Sequence, residues 1–150
     1  MNYKYKESGL DNVWLQNGFT VEDHPNYGQL VSIQNVRGLH DQIGQWLATL
    51  PRRLTGAEFK FLRIELDNSQ RVLARLLGVG EQSIRMWEKA RHKPIPNQSA
   101  ERLLRGIYLD CLNPNSHLKT VMERITDLDA DLAATDLHLA NADMEWRRAA

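Results

Sequence analysis

Five side chains able to recognise DNA bases lie within six residues, in the stretch EQSIRM at positions 81–86. Gln82 can form a bidentate pair with adenine, Arg85 can do so with N7 and O6 of guanine, and Ser83 can bond a base or a phosphate. Glu81 can accept from the cytosine amino group, or it can simply be a carboxylate favoured near a helix N-terminus. Met86 can contact a thymine methyl group or act as a packing residue. The stretch predicts a surface that contacts base edges.

Basic side chains follow directly, with Lys89, Arg91 and Lys93 in a run that includes His92. This run suits contacts with phosphates, and solvated surface charge explains it equally well. Gln70 lies earlier, at the start of another predicted helix, where its side chain can join the first backbone N–H groups in holding a phosphate.

Two short helices joined by a tight turn are predicted to position these side chains. Ser69 is expected to cap a helix over residues 70–77, Gly78 to end it in the left-handed conformation, and Gly80 to cap a helix over residues 81–90. The predicted inward-facing residues of the pair are Val72, Leu73, Leu76, Leu77, Val79, Ile84 and Trp87. This packing leaves the polar side chains on the outer face, as a recognition helix requires.

A helix is predicted on each side of this pair. Thr55 and Glu58 have the spacing of a capping box for a helix over residues 56–66, and Leu54 and Phe59 that of a hydrophobic staple. Ser99 is predicted to cap a later helix, whose apolar face comprises Leu103, Leu104, Ile107, Tyr108 and Cys111.

The first fifty residues predict a small antiparallel sheet and one helix. Residues 3–5, 13–21 and 29–36 have strand-like alternation, with an Asn17–Gly18 turn and with EDHPNYG as a loop. From Leu39 the apolar spacing becomes helical, and Pro51 ends that helix.

The last part of the chain admits two interpretations. A heptad pattern runs through Leu118, Val121, Ile125, Leu128, Leu132, Thr135, Leu139, Ala142 and Trp146. It predicts a helical extension, although Thr135 and Ala142 are weak core residues and three aspartates flank the seam. The stretch after Ala134 also alternates, which favours a short strand instead.

The charge is unevenly distributed, although the 150 residues have a net charge of zero. Residues 52–105 contain twelve Lys/Arg and six Asp/Glu, a net charge of +6, whereas residues 1–51 and 117–150 have net charges of −2 and −3. The basic middle segment is the part suited to a polyanion.

Other classes of site have little support in the sequence. Cys111 is the only cysteine, which excludes an internal disulfide and a multi-thiolate zinc site, and it is predicted to be a small buried residue. The five histidines lack ligand spacing, so no metal or other cofactor is expected. The acid–base candidates Asp23–His24 and His40–Asp41 are only neighbours in sequence, so no catalytic site is expected. A cytoplasmic protein is predicted, because no signal or membrane-spanning run is present.

The stretch SQRVLARLLGVGEQSIRMWEKA at positions 69–90 resembles the Xre, or Cro/C1-type, helix-turn-helix of transcriptional regulators. The resemblance covers residues 55–95. The segments ESGLDNVWLQNGF, VSIQNVRGLHDQIG and MWEKARHKPIP are also similar to the MqsA-type antitoxin and regulator family, but the zinc-binding cysteine pairs of that family are missing. Gly80 stands where the helix-turn-helix usually has Ser, Thr or Asp. Ala90 stands where Gly is usual, and alanine would cost about 1 kcal/mol there if the residue had a positive φ.

The resemblance implies a five-helix DNA-binding domain that dimerises and binds an operator. In it Gln70 would contact phosphate, while Gln82, Ser83 and Arg85 would occupy base-reading positions. The expected protein is α+β and mainly α: a small α+β N-terminal module with an antiparallel sheet at 1–51, a helix-turn-helix domain at 52–112 and a C-terminal helical extension at 113–150 that can serve dimerisation. The expected function is that of a homodimeric repressor of a palindromic operator. The alternative is an antitoxin that neutralises a toxin protein through its N-terminal module and represses its own operon.

Overall fold

The computed structural model describes residues 2–115, 117, 118, 120 and 136–149. The chain begins with two short antiparallel strands, β1 (Tyr3–Lys4) and β2 (Trp14–Leu15), which a 3₁₀ turn at Lys6–Ser8 separates. A longer hairpin follows, formed by β3 (Phe19–His24) and β4 (Gly28–Ile33). The N-terminal sheet material is therefore two separate two-stranded sheets.

Gly18 provides a bend rather than the centre of a hairpin. Its φ of 80° suits glycine, but the strands on its two sides do not pair with each other, because β2 pairs with β1 and β3 with β4. The expected loop EDHPNYG is also shorter than predicted, since its first three residues belong to β3 and the turn is confined to Pro25–Tyr27.

Five helices dominate the part of the chain that the structure describes, which confirms the mainly helical α+β class. They are α1 (Val36–Thr49), α2 (Gly56–Glu65), α3 (Gln70–Leu77), α4 (Glu81–Lys89) and α5 (Gln98–Cys111). The predicted capping box is present, since Thr55 Oγ1 accepts from the Glu58 N–H and Glu58 Oε1 accepts from the Thr55 N–H. Ser69 caps α3, and Gly78 ends it with a φ of 70°.

Two helices begin earlier than predicted because asparagines cap them. Asn35 accepts from the Gly38 N–H at 3.1 Å, so α1 begins at Val36 rather than near Leu39. Asn97 accepts from the Ala100 N–H at 3.1 Å, so the expectation of Ser99 as the cap of α5 is wrong. Val36 is largely exposed, which explains why the apolar pattern did not reveal the first turn of α1.

One buried cluster joins the N-terminal segment to the helices. Tyr5, Leu10 and Leu15 belong to the same cluster as Leu47 of α1 and Leu104 of α5. The fully buried large residues of the middle segment are Leu54, Phe59, Leu62, Leu73, Ile84, Ile95 and Leu104. Burial of this many large side chains, at roughly 1.5–3 kcal/mol each, is the main force holding the helices together.

Two predicted buried residues are exposed. Val72 is 44% exposed on α3, where Ala74 is buried instead. Cys111 is exposed at the end of α5, because burial on that face ends at Tyr108 and the final turn of the helix extends beyond the core.

The C-terminal region ends in a third hairpin, β5 (Leu139–Ala142) and β6 (Glu145–Arg148). The strand alternative therefore holds for the stretch after residue 135, and the heptad positions Leu139, Ala142 and Trp146 do not lie on a helix. The heptad positions from Val121 to Thr135 lie outside the described residues. No helix within the described ranges is long and apolar enough to cross a membrane.

Candidate nucleic-acid interface

The α3–α4 pair has the geometry of two helices joined by a tight turn. The Gly78 N–H bonds to the carbonyl of Arg75 at 3.3 Å, and the Val79 N–H bonds to that of Ala74 at 3.0 Å. These bonds satisfy two of the last four carbonyls of α3, and the positive φ of Gly78 ends the helix.

The inner face of α4 is fixed by one aliphatic and one aromatic contact. Ile84 is fully buried, and the Trp87 ring meets the Phe59 ring edge to face at a centroid distance of 5.7 Å. The start of α2 presses against the same helix, since a Cβ atom on Gly56 would lie 2.0 Å from the Trp87 carbonyl oxygen. The orientation of α4 is therefore set by α2 as well as by α3.

Three of the five predicted base-contacting residues are exposed on α4. Gln82, Arg85 and Met86 are exposed, with Met86 62% accessible, whereas Glu81 and Ser83 are half-buried. The position of Met86 excludes the core-packing interpretation of that side chain. Gly80 begins the helix as predicted, with no side-chain cap.

Three of these residues bond to one another. Arg85 Nη2 donates to Glu81 Oε1 at 2.8 Å, and Arg85 Nη1 donates to Gln82 Oε1 at 3.3 Å. The Glu81 and Arg85 side chains are 40% and 55% exposed, so solvent screens the pair and its contribution to stability is about 0.3–0.5 kcal/mol. Ligand can therefore displace these bonds at little cost.

A buried ion pair that the sequence analysis missed links α2 to α4. Arg63 Nε and Nη2 donate to the two carboxylate oxygens of Glu88 at 2.7 and 2.8 Å, and Arg63 Nη1 donates to the Asn68 carbonyl at 2.9 Å. Glu88 is only 6% exposed. The sequence contains one indication of this pair: Glu88 follows Ile84 by four residues, which places its carboxylate on the inward face of α4. A buried carboxylate needs a partner that compensates its charge.

Gln70 bonds to the same carboxylate. Its Nε2 donates to Glu88 Oε1 at 3.2 Å, so the side chain ties the first turn of α3 to α4. A phosphate contact from this residue would therefore use the amide oxygen, the second amide hydrogen or the backbone N–H at the start of α3.

The basic run after α4 is held against the start of α2. The Gly56 and Ala57 N–H groups donate to the carbonyls of Lys93 at 3.1 Å and Arg91 at 3.0 Å, which satisfies two otherwise unpaired donors of α2. Lys89, Arg91 and Lys93 are all exposed. The turn thus fixes the backbone of the run while its cationic side chains face solvent.

Arg91 and His92 also contact the N-terminal segment. Arg91 Nη2 donates to the Gly9 carbonyl at 2.8 Å and lies 3.5 Å from an Asp11 carboxylate oxygen, and His92 Nδ1 lies 3.6 Å from the same oxygen. Arg91 is therefore partly neutralised by Asp11, and the phosphate contacts expected of Lys89, Arg91 and Lys93 stay a prediction.

Ala90 does not have the strained conformation that the resemblance implied. Its φ is −83°, an ordinary value for an L-residue, so the expected cost of about 1 kcal/mol does not arise.

The two histidine–aspartate neighbours do not form a common site. His24 lies in the β3–β4 hairpin, whereas His40 lies between Tyr5 Oη, at 2.7 Å from Nε2, and Glu65 Oε1, at 2.6 Å from Nδ1. Asp41 pairs with Arg37 instead.

A cavity of 540 Å³ between the N-terminal turn, α2 and the end of α4 is lined by His40 but not by His24. Within the described ranges no three His, Cys, Asp or Glu residues are grouped so as to bind a metal ion.

Comparison with known proteins agrees with the α3–α4 geometry. A family model described as Helix-turn-helix matches residues 59–105, from within α2 to within α5. No curated protein and no solved structure matches the chain. The matched family is a family of DNA-binding regulator domains, of the Cro/C1 type, and not of enzymes, so the match supports a DNA-binding transcription regulator.

Proposed function

We propose that this protein is a sequence-specific transcriptional repressor that binds a palindromic operator as a homodimer through α4. The observation that carries the proposal is the two-sided character of α4. One side presents Gln82, Arg85 and Met86 to solvent, and the other is fixed by Ile84 and by the Glu88–Arg63 pair. A helix that enters the major groove needs both features, since it must expose polar groups while its axis stays fixed.

The roles of the side chains follow from their chemistry. Arg85 donates to guanine, Gln82 pairs with adenine and Ser83 bonds a base or a phosphate. Glu81 accepts from cytosine or positions Arg85, and Met86 contacts a thymine methyl group. Lys89, Arg91 and Lys93, together with Gln70 at the start of α3, contact phosphates and set the register of α4 on the duplex.

The test measures the binding of purified protein to the DNA upstream of its own gene, by fluorescence anisotropy. Arg85→Ala is expected to weaken binding to the specific site by about 10- to 100-fold, because a bidentate base contact contributes about 1–3 kcal/mol of discrimination. Arg85→Lys keeps the charge but loses the fork, so it should lose most of the specificity while nonspecific binding is retained. Arg37→Ala is the control, since Arg37 is an exposed arginine of α1. Equal affinities of the wild type, Arg85→Ala and Arg37→Ala for the upstream DNA would refute the proposal.

The dimer is proposed to form through residues 113–150. The β5–β6 hairpin is exposed throughout, including Leu139, Met144 and Trp146, and an isolated two-stranded hairpin is marginally stable in water. A second copy would cover these side chains, and binding to a palindrome then requires the two α4 helices to lie about one helical turn of DNA apart. Sedimentation of the full chain and of a chain ending at Leu112 tests this: a dimer and a monomer are expected, and two identical species would contradict it.

A second candidate function, that of an antitoxin, is favoured by one surface feature. Trp14 and Trp46 are 58% and 46% exposed and flank a 240 Å³ groove between β2 and α1. Exposed tryptophans of this kind are frequent anchors in protein–protein interfaces. The partner would be a toxin protein encoded beside this gene. Co-purification of that protein with the wild type and with Tyr27→Ala, but not with Trp14→Ala/Trp46→Ala, would support this function, and equal co-purification with all three would exclude this surface.

A further inference from the structure

A concave surface rich in arginine lies on residues that belong neither to α3 nor to α4. It encloses about 340 Å³ between the α1–α2 connection and α5. Its lining residues are Leu50, Pro51, Arg52, Arg53, Gln98, Glu101, Arg102 and Arg105. This surface, called the arginine pocket below, thus brings together four guanidinium groups and one carboxylate.

Two of the four guanidinium groups are matched by buried acids. Arg52 forms a fork with both carboxylate oxygens of Glu58, each at 2.8 Å. Burial alone would raise the pKa of Glu58, but the bonds and charge of Arg52, together with the Thr55 bonds, outweigh it and hold that pKa below its usual value. Glu58 therefore stays ionised and neutralises Arg52.

Arg105 has a structural role in the wall of the pocket. Its guanidinium donates to the carbonyl oxygens of Leu50, at 2.5 Å, and Arg52, and it pairs with Glu101. Glu101 also accepts from the Leu54 N–H at 3.0 Å. These bonds fix the α1–α2 connection against α5, so the pocket is preformed.

The other two guanidinium groups have no acidic partner within the ranges that the structure describes. Arg53 is exposed, and its Nε, at 3.3 Å, and its Nη2 both donate to the oxygen of the neutral Gln98 side chain when that amide oxygen faces it. Arg102 is exposed and lies one helical turn after Gln98, on the same side of α5. Two like charges therefore remain beside a preformed concavity, an arrangement that a bound anion would stabilise.

The geometry points to a phosphate group as the ligand of the arginine pocket. Guanidinium forks match phosphate oxygens in pairs, and the doubly charged phosphate matches the two unneutralised arginines. The first turn of α5, which reaches the pocket at Gln98, adds the positive end of a fourteen-residue helix. Leu50 and Pro51 provide an apolar wall for a further part of the ligand, and 340 Å³ falls at the lower end of small-ligand sites.

Two sources of phosphate fit this chemistry: a small phosphorylated molecule, and the backbone of DNA bound through α4. The second source rests on the proposed function, and the first does not. The experiment therefore has one arm without DNA and one arm with it.

The arm without DNA is calorimetric titration of the full chain with inorganic pyrophosphate at low salt. Saturable binding to one site is expected, with at least a tenfold loss of affinity in Arg53→Ala/Arg102→Ala. Arg53→Lys/Arg102→Lys keeps both charges, but its affinity for pyrophosphate should still fall severalfold, because lysine lacks the paired N–H donors of a guanidinium group. Lys6→Ala/Lys60→Ala, which removes two exposed cations elsewhere, should change the affinity by less than twofold.

The arm with DNA measures the slope of log K against log salt concentration. If the pocket contacts the DNA backbone, Arg53→Ala/Arg102→Ala should reduce the magnitude of the slope by about 1.8, because each of two lost phosphate contacts contributes about 0.9. The loss of affinity caused by Arg85→Ala should be unchanged. A failure of DNA binding altogether would refute the proposed function but leave the pyrophosphate result to decide on the pocket. The phosphate site is refuted if both arms fail. In the arm without DNA, pyrophosphate then does not bind, or it binds Arg53→Ala/Arg102→Ala as tightly as the wild type. In the arm with DNA, the salt slope of Arg53→Ala/Arg102→Ala then equals that of Lys6→Ala/Lys60→Ala.

Discussion

Removal of the Glu88 carboxylate should destabilise the fold far more than removal of a similar carboxylate on the same helix. In Glu88→Ala, Arg63 loses both of its short bonds, at 2.7 and 2.8 Å, and Gln70 loses its acceptor. The Arg63 side chain is only 12% exposed, so water cannot fully replace the carboxylate. Breaking such a pair from one side costs about 3–5 kcal/mol.

The value expected here is near the lower end, about 3 kcal/mol, because Arg63 retains its bond to the Asn68 carbonyl and some contact with solvent. That loss would be a large part of the roughly 5–15 kcal/mol by which domains are stable. Urea denaturation followed by tryptophan fluorescence measures it, since Trp87 packs on Phe59 in the same region.

Glu81→Ala is the matched control, because Glu81 also pairs with an arginine but on the exposed side of α4. Its expected cost is below 1 kcal/mol. Arg63→Ala completes a double-mutant cycle with Glu88→Ala, and the double variant should lose much less than the sum of the two single losses. Additive losses, or equal losses for Glu88→Ala and Glu81→Ala, would show that the Arg63–Glu88 pair does not fix α4.

Three further predictions concern positions that support the site. Because the pKa of Glu58 is lowered in the folded chain, the contribution of its carboxylate to stability is full above about pH 4.5. That contribution is lost as the pH falls through the pKa of Glu58 in the folded state. Denaturation measured across pH 3–7 should show this loss of stability for the wild type and a smaller loss for Glu58→Gln. Gly56→Ala should lower the free energy of unfolding, measured in urea, by at least about 1–3 kcal/mol, because the added Cβ atom would lie 2.0 and 2.7 Å from the carbonyl oxygens of Trp87 and Ala90. Gly106→Ala is the control: its Cβ atom would have open space around it, so the free energy of unfolding should be unchanged or higher. Gly78→Ala should lower the thermal midpoint by an amount equivalent to about 1 kcal/mol, because φ is +70° with no steric contact at Cβ; an unchanged midpoint would contradict this account of the turn.

The features that the sequence predicted well are local ones. The Thr55–Glu58 box, the Ser69 cap and the Gly78 terminator each depend on residues within four positions of one another, so their spacing is visible in the chain. They fix where α2 and α3 begin and where α3 ends. The α4 boundaries followed because the turn before it was correctly located.

The features that were missed depend on residues distant in sequence. Arg63 and Glu88 are 25 positions apart, and no spacing rule connects them before the packing of α2 on α4 is known. The same is true of Arg91 and Gly9, which are 82 positions apart. The error at Cys111 has a related origin, because the apolar stripe of α5 is continuous in the sequence while the core that it faces ends one turn earlier.

If α4 reads DNA as proposed, the bonds from Arg85 to Glu81 and Gln82 compete with the DNA bases for the same guanidinium group. On a DNA site without a suitable base acceptor, the Arg85 guanidinium would keep its bond to the Glu81 carboxylate. If Arg85 reads guanine as proposed, a guanine in register would replace the Glu81–Arg85 pair, which is weak enough to exchange. Under the proposed function, a variant without Glu81 should therefore discriminate against wrong sequences only about twofold less well, because the pair contributes about 0.3–0.5 kcal/mol.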